Sequence, residues 1–306
     1  MKFLQCLAVV AVLWSAPCLA GEIQRVSLPK EVRHELRTST IPKEIEGKVW
    51  NRWTTENFVV CSLDDRQAQY LHKHLEFVKA WAFSRWGLYD VNFAAECKLI
   101  CVNDPDLFEK MFRIKKTKVE VRRDTNGRIK ESVIFLLVND SPSRTVPVPL
   151  SEICIAEFAQ KYDANFGWWA YRGVSLLNAS IDQVKSDMNQ LGPAVNGNQP
   201  IYFSKGLMEM TQAEYQKLDS VKKRLFDHSA MAFCLLVRKE LGQDTFHRLL
   251  KKTSDNKGEA GIKEILNFES YDHFDRTFKR YMIDLTADMA QGKTPDSYLQ
   301  IREKVR

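Results

Sequence analysis

The 306-residue sequence has no internal repeat, no low-complexity tract and, beyond its first twenty residues, no apolar run approaching the length needed to cross a bilayer. Neither sign of charge dominates, with 45 Lys and Arg against 39 Asp and Glu. The seven cysteines include no pair at the two-residue spacing of a redox or zinc motif, since Cys97 and Cys101 enclose three residues. Ser175 follows Gly173-Val174 without the second glycine of a nucleophile elbow, which disfavours a serine hydrolase. What remains is close to globular average: 44% hydrophobic and 27% charged residues exclude a disordered tail protein, a collagen-like chain and a disulfide miniprotein.

Residues 1–20 read as a Sec-type signal peptide. Lys2 gives the positive start, Phe3 to Trp14 an apolar run too short for a span, and Ser15 to Ala20 a small-residue end. Cys18 follows Pro17, a poor lipid-acceptor context, so cleavage near Ala20 and a secreted or periplasmic product are expected, with no transmembrane segment left. Cleavage removes Cys6 and Cys18 and leaves Cys61, Cys97, Cys101, Cys154 and Cys234. An odd count in an oxidising compartment leaves at least one thiol unpaired or linked to another chain. Cys97 and Cys101 share one face of a strand and lie too far apart to bridge each other. Either a neighbouring strand supplies a partner, for instance Cys61, or all act as buried small hydrophobes.

The mature chain divides by pattern. Residues 21–54 are polar and proline-punctuated, expected as an N-terminal arm or linker. Residues 55–148 carry the strand signals, at Asn57–Ser62, Cys97–Val102, Thr117–Arg123 and Ser132–Val138, the last two closed by Asn126-Gly127. Between the first two, Ala68, Leu71, Leu75, Val78 and Ala82 recur at helical steps. Residues 149–290 are helical in almost every signal, and 291–306 form a tail. Strands early and helices late give an α+β fold.

Chemistry concentrates in Leu150-Ser-Glu-Ile-Cys-Ile-Ala-Glu-Phe-Ala-Gln-Lys-Tyr162 and Gly167-Trp-Trp-Ala-Tyr-Arg-Gly-Val-Ser-Leu-Leu177. The first is apolar on nearly all sides, the mark of a central buried helix, yet holds Glu157. A carboxylate there demands a partner.

Together with the aromatic-rich segment from Leu75 to Trp86-Gly-Leu88, and with Ser229–Arg238, Phe246–Leu250 and Phe274–Tyr281, these stretches resemble the peptidase MA-like domains of secreted bacterial proteins, relatives of the gluzincin zinc metallopeptidases. The likeness covers about residues 55 to 285 and implies a zincin-like fold, with a small mixed sheet and helices followed by a mainly helical C-terminal lobe. In that family two histidines four apart on one helical face hold zinc, and a Glu after the first polarises the bound water. Here those positions are Ala156, Gln160 and Glu157, and the third ligand, a Glu on the next helix, is Arg172. Ala has no donor atom, an amide is a poor zinc ligand and a guanidinium repels a cation. The resemblance thus implies a degenerate site with no metal and no cofactor, in which only the general-base position Glu157 survives. An ion pair of Arg172 with Glu157, completed by Gln160, is expected in place of the metal.

Other candidates are Cys154 and His228, a conceivable nucleophile pair that no spacing supports, and Trp168 and Trp169, one expected in the core and one lining a groove. His72 and His74 point to different sides of a helix, His74 toward its core face as a structural histidine. Asn178-Ala-Ser180 is a formal glycosylation sequon. Residues 113–130 collect eight basic side chains, among them Lys115, Lys116, Lys118, Arg122 and Arg123, able to meet an extended peptide or an anionic cell-envelope component; export and missing aromatics argue against nucleic acid. The expected function is a binding or scaffolding pseudopeptidase. The alternatives are a hydrolase with rearranged chemistry around Glu157, His228 or Cys154, and a structural subunit of an envelope assembly.

Overall fold

The fold comes from a computed structural model that describes residues 21–84, 86, 92–138, 142–162, 166–197, 202–253, 263–265 and 268–294. The expected signal peptide, Gly87-Leu88 and most of the tail lie outside these residues.

Six strands form one mixed sheet in the order β1-β2-β3-β4-β6-β5: β1 (Gln24–Val26), β2 (Trp50–Thr54), β3 (Phe58–Ser62), β4 (Cys97–Val102), β5 (Lys118–Arg123) and β6 (Ile129–Leu137). The three central strands β3, β4 and β6 run parallel, and β1/β2, β2/β3 and β5/β6 pair antiparallel. Every residue of β3 and all but one of β4 are buried, so these strands read as continuous apolar runs, as strands covered on both faces must. The β5–β6 hairpin turns where Asn126-Gly127 places it: Gly127 takes φ 77°, and its N–H donates to Asp124 O at 3.0 Å.

Residues 21–54 are not a loose arm. They supply β1 and β2 together with helix α1 (Lys30–Glu35), whose Glu31 and Glu35 are buried against cations of the sheet. The segment is held by these ion pairs together with Val32, Ile45, Trp50 and Trp53, buried at spacings that follow no single helix or strand period.

Helix α2 (Asp65–Ser84) links β3 to β4, its stripe Ala68, Leu71, Leu75, Val78 and Ala82 buried as the spacing predicts. His74, however, is exposed and its ring meets Tyr70 at 4.7 Å, because it falls just outside the stripe. Helix α3 (Pro105–Phe112) starts on Asp104, whose carboxylate accepts from Asp106 N and Leu107 N, and covers the sheet's other face beside α1. After a short turn of helix, α4 (Pro142–Thr145), the described elements are all helical: α5 (Pro147–Lys161), α6 (Trp168–Leu177), α7 (Ile181–Asn196), α8 (Ser204–Glu209), α9 (Gln212–Lys217), α10 (Ser220–Thr253, interrupted at Gly242) and α11 (Tyr271–Ala290). The α+β expectation therefore holds.

One core joins both halves, running from Trp53 and Leu99 in the sheet to Phe158, Trp169, Phe233 and Phe278 in the helices. Helix α5 lies at its centre, against α2, α6 and the hairpin strands. The α6–α10 crossing is close enough that a Cβ at Gly173 would stand 2.6 Å from Ala230 O and from Cys234 Sγ, so only glycine fits there. Among the described residues, no helix is long and apolar enough to cross a membrane.

Candidate functional site

Helix α5 carries Glu152, Ala156 and Gln160 at steps of four, hence along one face, with Glu157 beside them. Glu157 is buried. Its Oε2 accepts from Ala94 N at 2.9 Å, while Oε1 has no hydrogen-bond partner. Burial raises its pKa, against the pull of the Ala94 N–H and of the Lys79 and Arg123 charges. Lys79 is itself buried, with its ammonium 4.6 Å from the Phe93 ring centroid, and burial lowers its pKa. A carboxylate and an ammonium thus share a low-dielectric region, each close enough to feel the other and neither hydrogen-bonded to it.

Arg172 does not pair with Glu157. Its Nε and Nη2 donate to the two carboxylate oxygens of Asp227 on α10, both at 2.8 Å, and its Nη1 donates to Glu152 at 2.9 Å. Tyr215 on α9 donates to the same Asp227 carboxylate at 3.0 Å and lies under the guanidinium. The reach of the side chain explains the difference from expectation: a guanidinium extends past Ala156 to the carboxylate one turn earlier on the same stripe. Burial opposes its charge, but the Asp227 hydrogen bonds and the charges of Asp227 and Glu152 hold its pKa above the ordinary value. Glu152 is left short of cations, and burial with the nearby Asp227 charge raises its pKa despite Arg172.

Gln160 also turns away from the expected pair. Its Oε1 accepts from the backbone N–H of Ile129, where the hairpin register shifts between Arg122 and Arg123. The amide thereby satisfies a donor that the irregular ladder leaves over. The three positions that hold zinc in the resembled family thus present a methyl group, an engaged amide and an engaged guanidinium. This donor set does not fit zinc.

Trp169 is fully buried against Phe233, as expected of a core residue, and Trp168 is half-buried, stacked on Tyr171 at 5.5 Å and beside Tyr215 at 5.6 Å. Cys154 and His228 are not brought together. Cys154 faces Lys79, Glu157 and Cys97 with its pKa raised by burial, whereas His228 lies 4.0 Å from Asp187 on α7 with its pKa lowered by burial. The other described cysteines are buried free thiols too; Cys61 lies in the smaller core and Cys101 in the larger, on opposite faces of the sheet. Asn178 of the sequon is buried, accepting from Trp86 Nε1 at 3.1 Å and donating to Ser151 Oγ at 2.6 Å, which leaves no access for a glycan.

The basic hairpin splits by strand face. On the α1 face, Arg122 donates to Glu35, Glu120 and Glu131, and Lys118 and Arg37 donate to Glu120. Lys115 pairs at 3.4 Å with Glu109, and Lys116 is exposed. Val119 and Val121 point the other way, onto the larger core. Arg123 follows on their side, exposed, with one hydrogen bond to Gly127 O at 2.8 Å. The expected anion-binding set is therefore mostly neutralised from within. Among the described residues one trio of ligand-type groups converges, His34, Glu35 and Glu131 with donor atoms within 4.8 Å of one another, but Arg122 and Lys98 already neutralise both carboxylates.

Asp227, Glu152 and Tyr215 were not singled out from the sequence. Glu152 sits one turn before Ala156 and was legible by helical spacing; Asp227 lies 55 residues from Arg172, and no local pattern connects them. Comparison of the chain with protein-family models and with curated proteins gives no match.

Proposed function

We propose that this chain is an exported, catalytically inactive relative of peptidase MA-like, zincin-type proteins, which binds an extended peptide along strand β5. The observation that carries the reading is the state of the three ligand positions: Ala156 offers no donor, Gln160 ties the hairpin to α5, and Arg172 ties α6 to α5 and α10. Groups that would hold a metal for chemistry instead hold elements together. Strand β5 ends the sheet order, and no described strand pairs with its outer side, so a row of backbone donors and acceptors is open to an added strand. Such binding needs backbone and side-chain pockets but no metal. The surviving Glu157, with its raised pKa, supports a hydrolase as the second reading.

The full mature chain, dialysed against zinc, is expected to carry no stoichiometric metal and to leave peptides uncleaved. It should bind extended peptides saturably and lose those whose backbone is N-methylated. One zinc per chain, with turnover abolished in Glu157→Gln, would overturn the proposal in favour of the hydrolase.

A further inference from the structure

Neighbouring residues of β5 face opposite environments. Arg122 is surrounded by Glu35, Glu120 and Glu131, whereas Arg123 has no carboxylate partner among the described residues. Side-chain alternation places Arg123 with Val119 and Val121 on the α5 side of the strand. Its charge reaches the Glu157 carboxylate and the phenol of Tyr171 on α6, lowering both pKa values against the larger upward effect of burial. Tyr171 in turn is stacked on Trp168, half-buried, with an indole N–H that has no hydrogen-bond partner. Arg123 therefore stands exposed at the end of the open edge, on its α5 side, with one hydrogen bond among the described residues, to Gly127 O, so that most of its five guanidinium N–H groups are unclaimed.

We infer that Arg123 is the specificity residue of the peptide-binding edge and that the ligand is an acidic extended peptide, whose carboxylate takes the Arg123 guanidinium. This rests on the proposed β5 reading. Arginine suits the role because its planar fork accepts a carboxylate through two parallel hydrogen bonds. Each cation of the larger cluster on the opposite face is already in contact with a glutamate, whereas Arg123 meets none among the described residues.

The test uses the full mature chain and two fluorescein-labelled dodecapeptides of alternating Thr and Val, identical except for a central Glu or Gln. The Glu peptide is expected to bind about tenfold more tightly at low salt, the equivalent of about 1.4 kcal/mol, with the margin shrinking as salt is raised. In Arg123→Gln the two peptides should bind equally, at the affinity of the Gln peptide for the native chain, with an unchanged melting temperature. Arg123→Lys should restore part of the preference. Equal binding of both peptides to the native chain overturns the acidic specificity and leaves the edge reading standing. If neither peptide binds, or if N-methylated versions bind as well as the parents, both fail. Binding of phosphatidylglycerol vesicles that Arg123→Gln abolishes, without peptide binding, would assign the arginine to a lipid surface instead.

Discussion

Two arginines organise two networks of carboxylates in this protein, and the networks differ in balance and burial. On the sheet, four cations (Arg37, Lys98, Lys118 and Arg122) meet three carboxylates (Glu35, Glu120 and Glu131) on a face partly open to water. Between the helices, Arg172 alone meets Asp227 and Glu152, all three mostly out of solvent. The sheet network has charge to spare and shares each contact among several partners. The helix clamp is a carboxylate over balance and hangs on one side chain. The difference teaches why identical chemistry gives a replaceable surface lattice in one place and a single point of failure in the other.

The largest effect should come from Arg172→Ala, which leaves two neighbouring, half-buried carboxylates, Asp227 and Glu152, without their cation, only Asp227 keeping a hydrogen bond, from Tyr215. A loss of about 3 kcal/mol is expected, measured by denaturant unfolding, and a loss indistinguishable from zero would remove the clamp from the account of stability. Arg122→Ala should cost less, about 1 kcal/mol, because Lys98, Lys118 and Arg37 remain on its glutamates and water screens the site. Equal losses in the two variants would erase the contrast.

The smallest and most specific effect concerns pH, where the two networks have opposite signs. Burial alone would raise the pKa of Glu120, but hydrogen bonds from Lys118, Arg122 and Arg37 hold it down, at about 2. Its contribution is therefore present above the ordinary value of 4.5 and lost as pH falls from there through about 2. Glu152, with its pKa raised, contributes in the other direction, fully below 4.5 and decreasingly as pH rises through its folded value. Accordingly Glu152→Gln should raise the melting temperature at neutral pH and lose that advantage below pH 4.5, whereas Glu120→Gln should lower it at neutral pH and flatten the acid limb. Parallel pH curves for the two variants would contradict the assignment of signs.

Legibility from sequence follows the range of the interactions. Helix α5, buried on nearly every side, and the hairpin at Asn126-Gly127 were readable because hydrophobic period and turn chemistry act within a few residues. The docking of residues 21–54 was not, since Glu31 and Glu35 look like surface residues until Arg52 and Arg122 come to meet them. His74 was misplaced by one step around a helix, a difference smaller than the width of the stripe used to locate it.

The candidate site shows the same division. From residue types alone, zinc could be excluded at Ala156, Gln160 and Arg172, because donor chemistry is a property of the side chain wherever it lies. Where those side chains turn was decided by the fold. Gln160 found an amide left over by a strand irregularity, and Arg172 found Asp227 across 55 residues of sequence, with helices α7, α8 and α9 between, and a short distance in space. Likewise the sequence determined that residues 113–130 are rich in cations, while strand alternation and the carboxylates of α1 decided that Arg122 is neutralised and Arg123 is not. Charge is fixed residue by residue, but availability of charge depends on which opposite charges the packed chain brings within hydrogen-bonding reach.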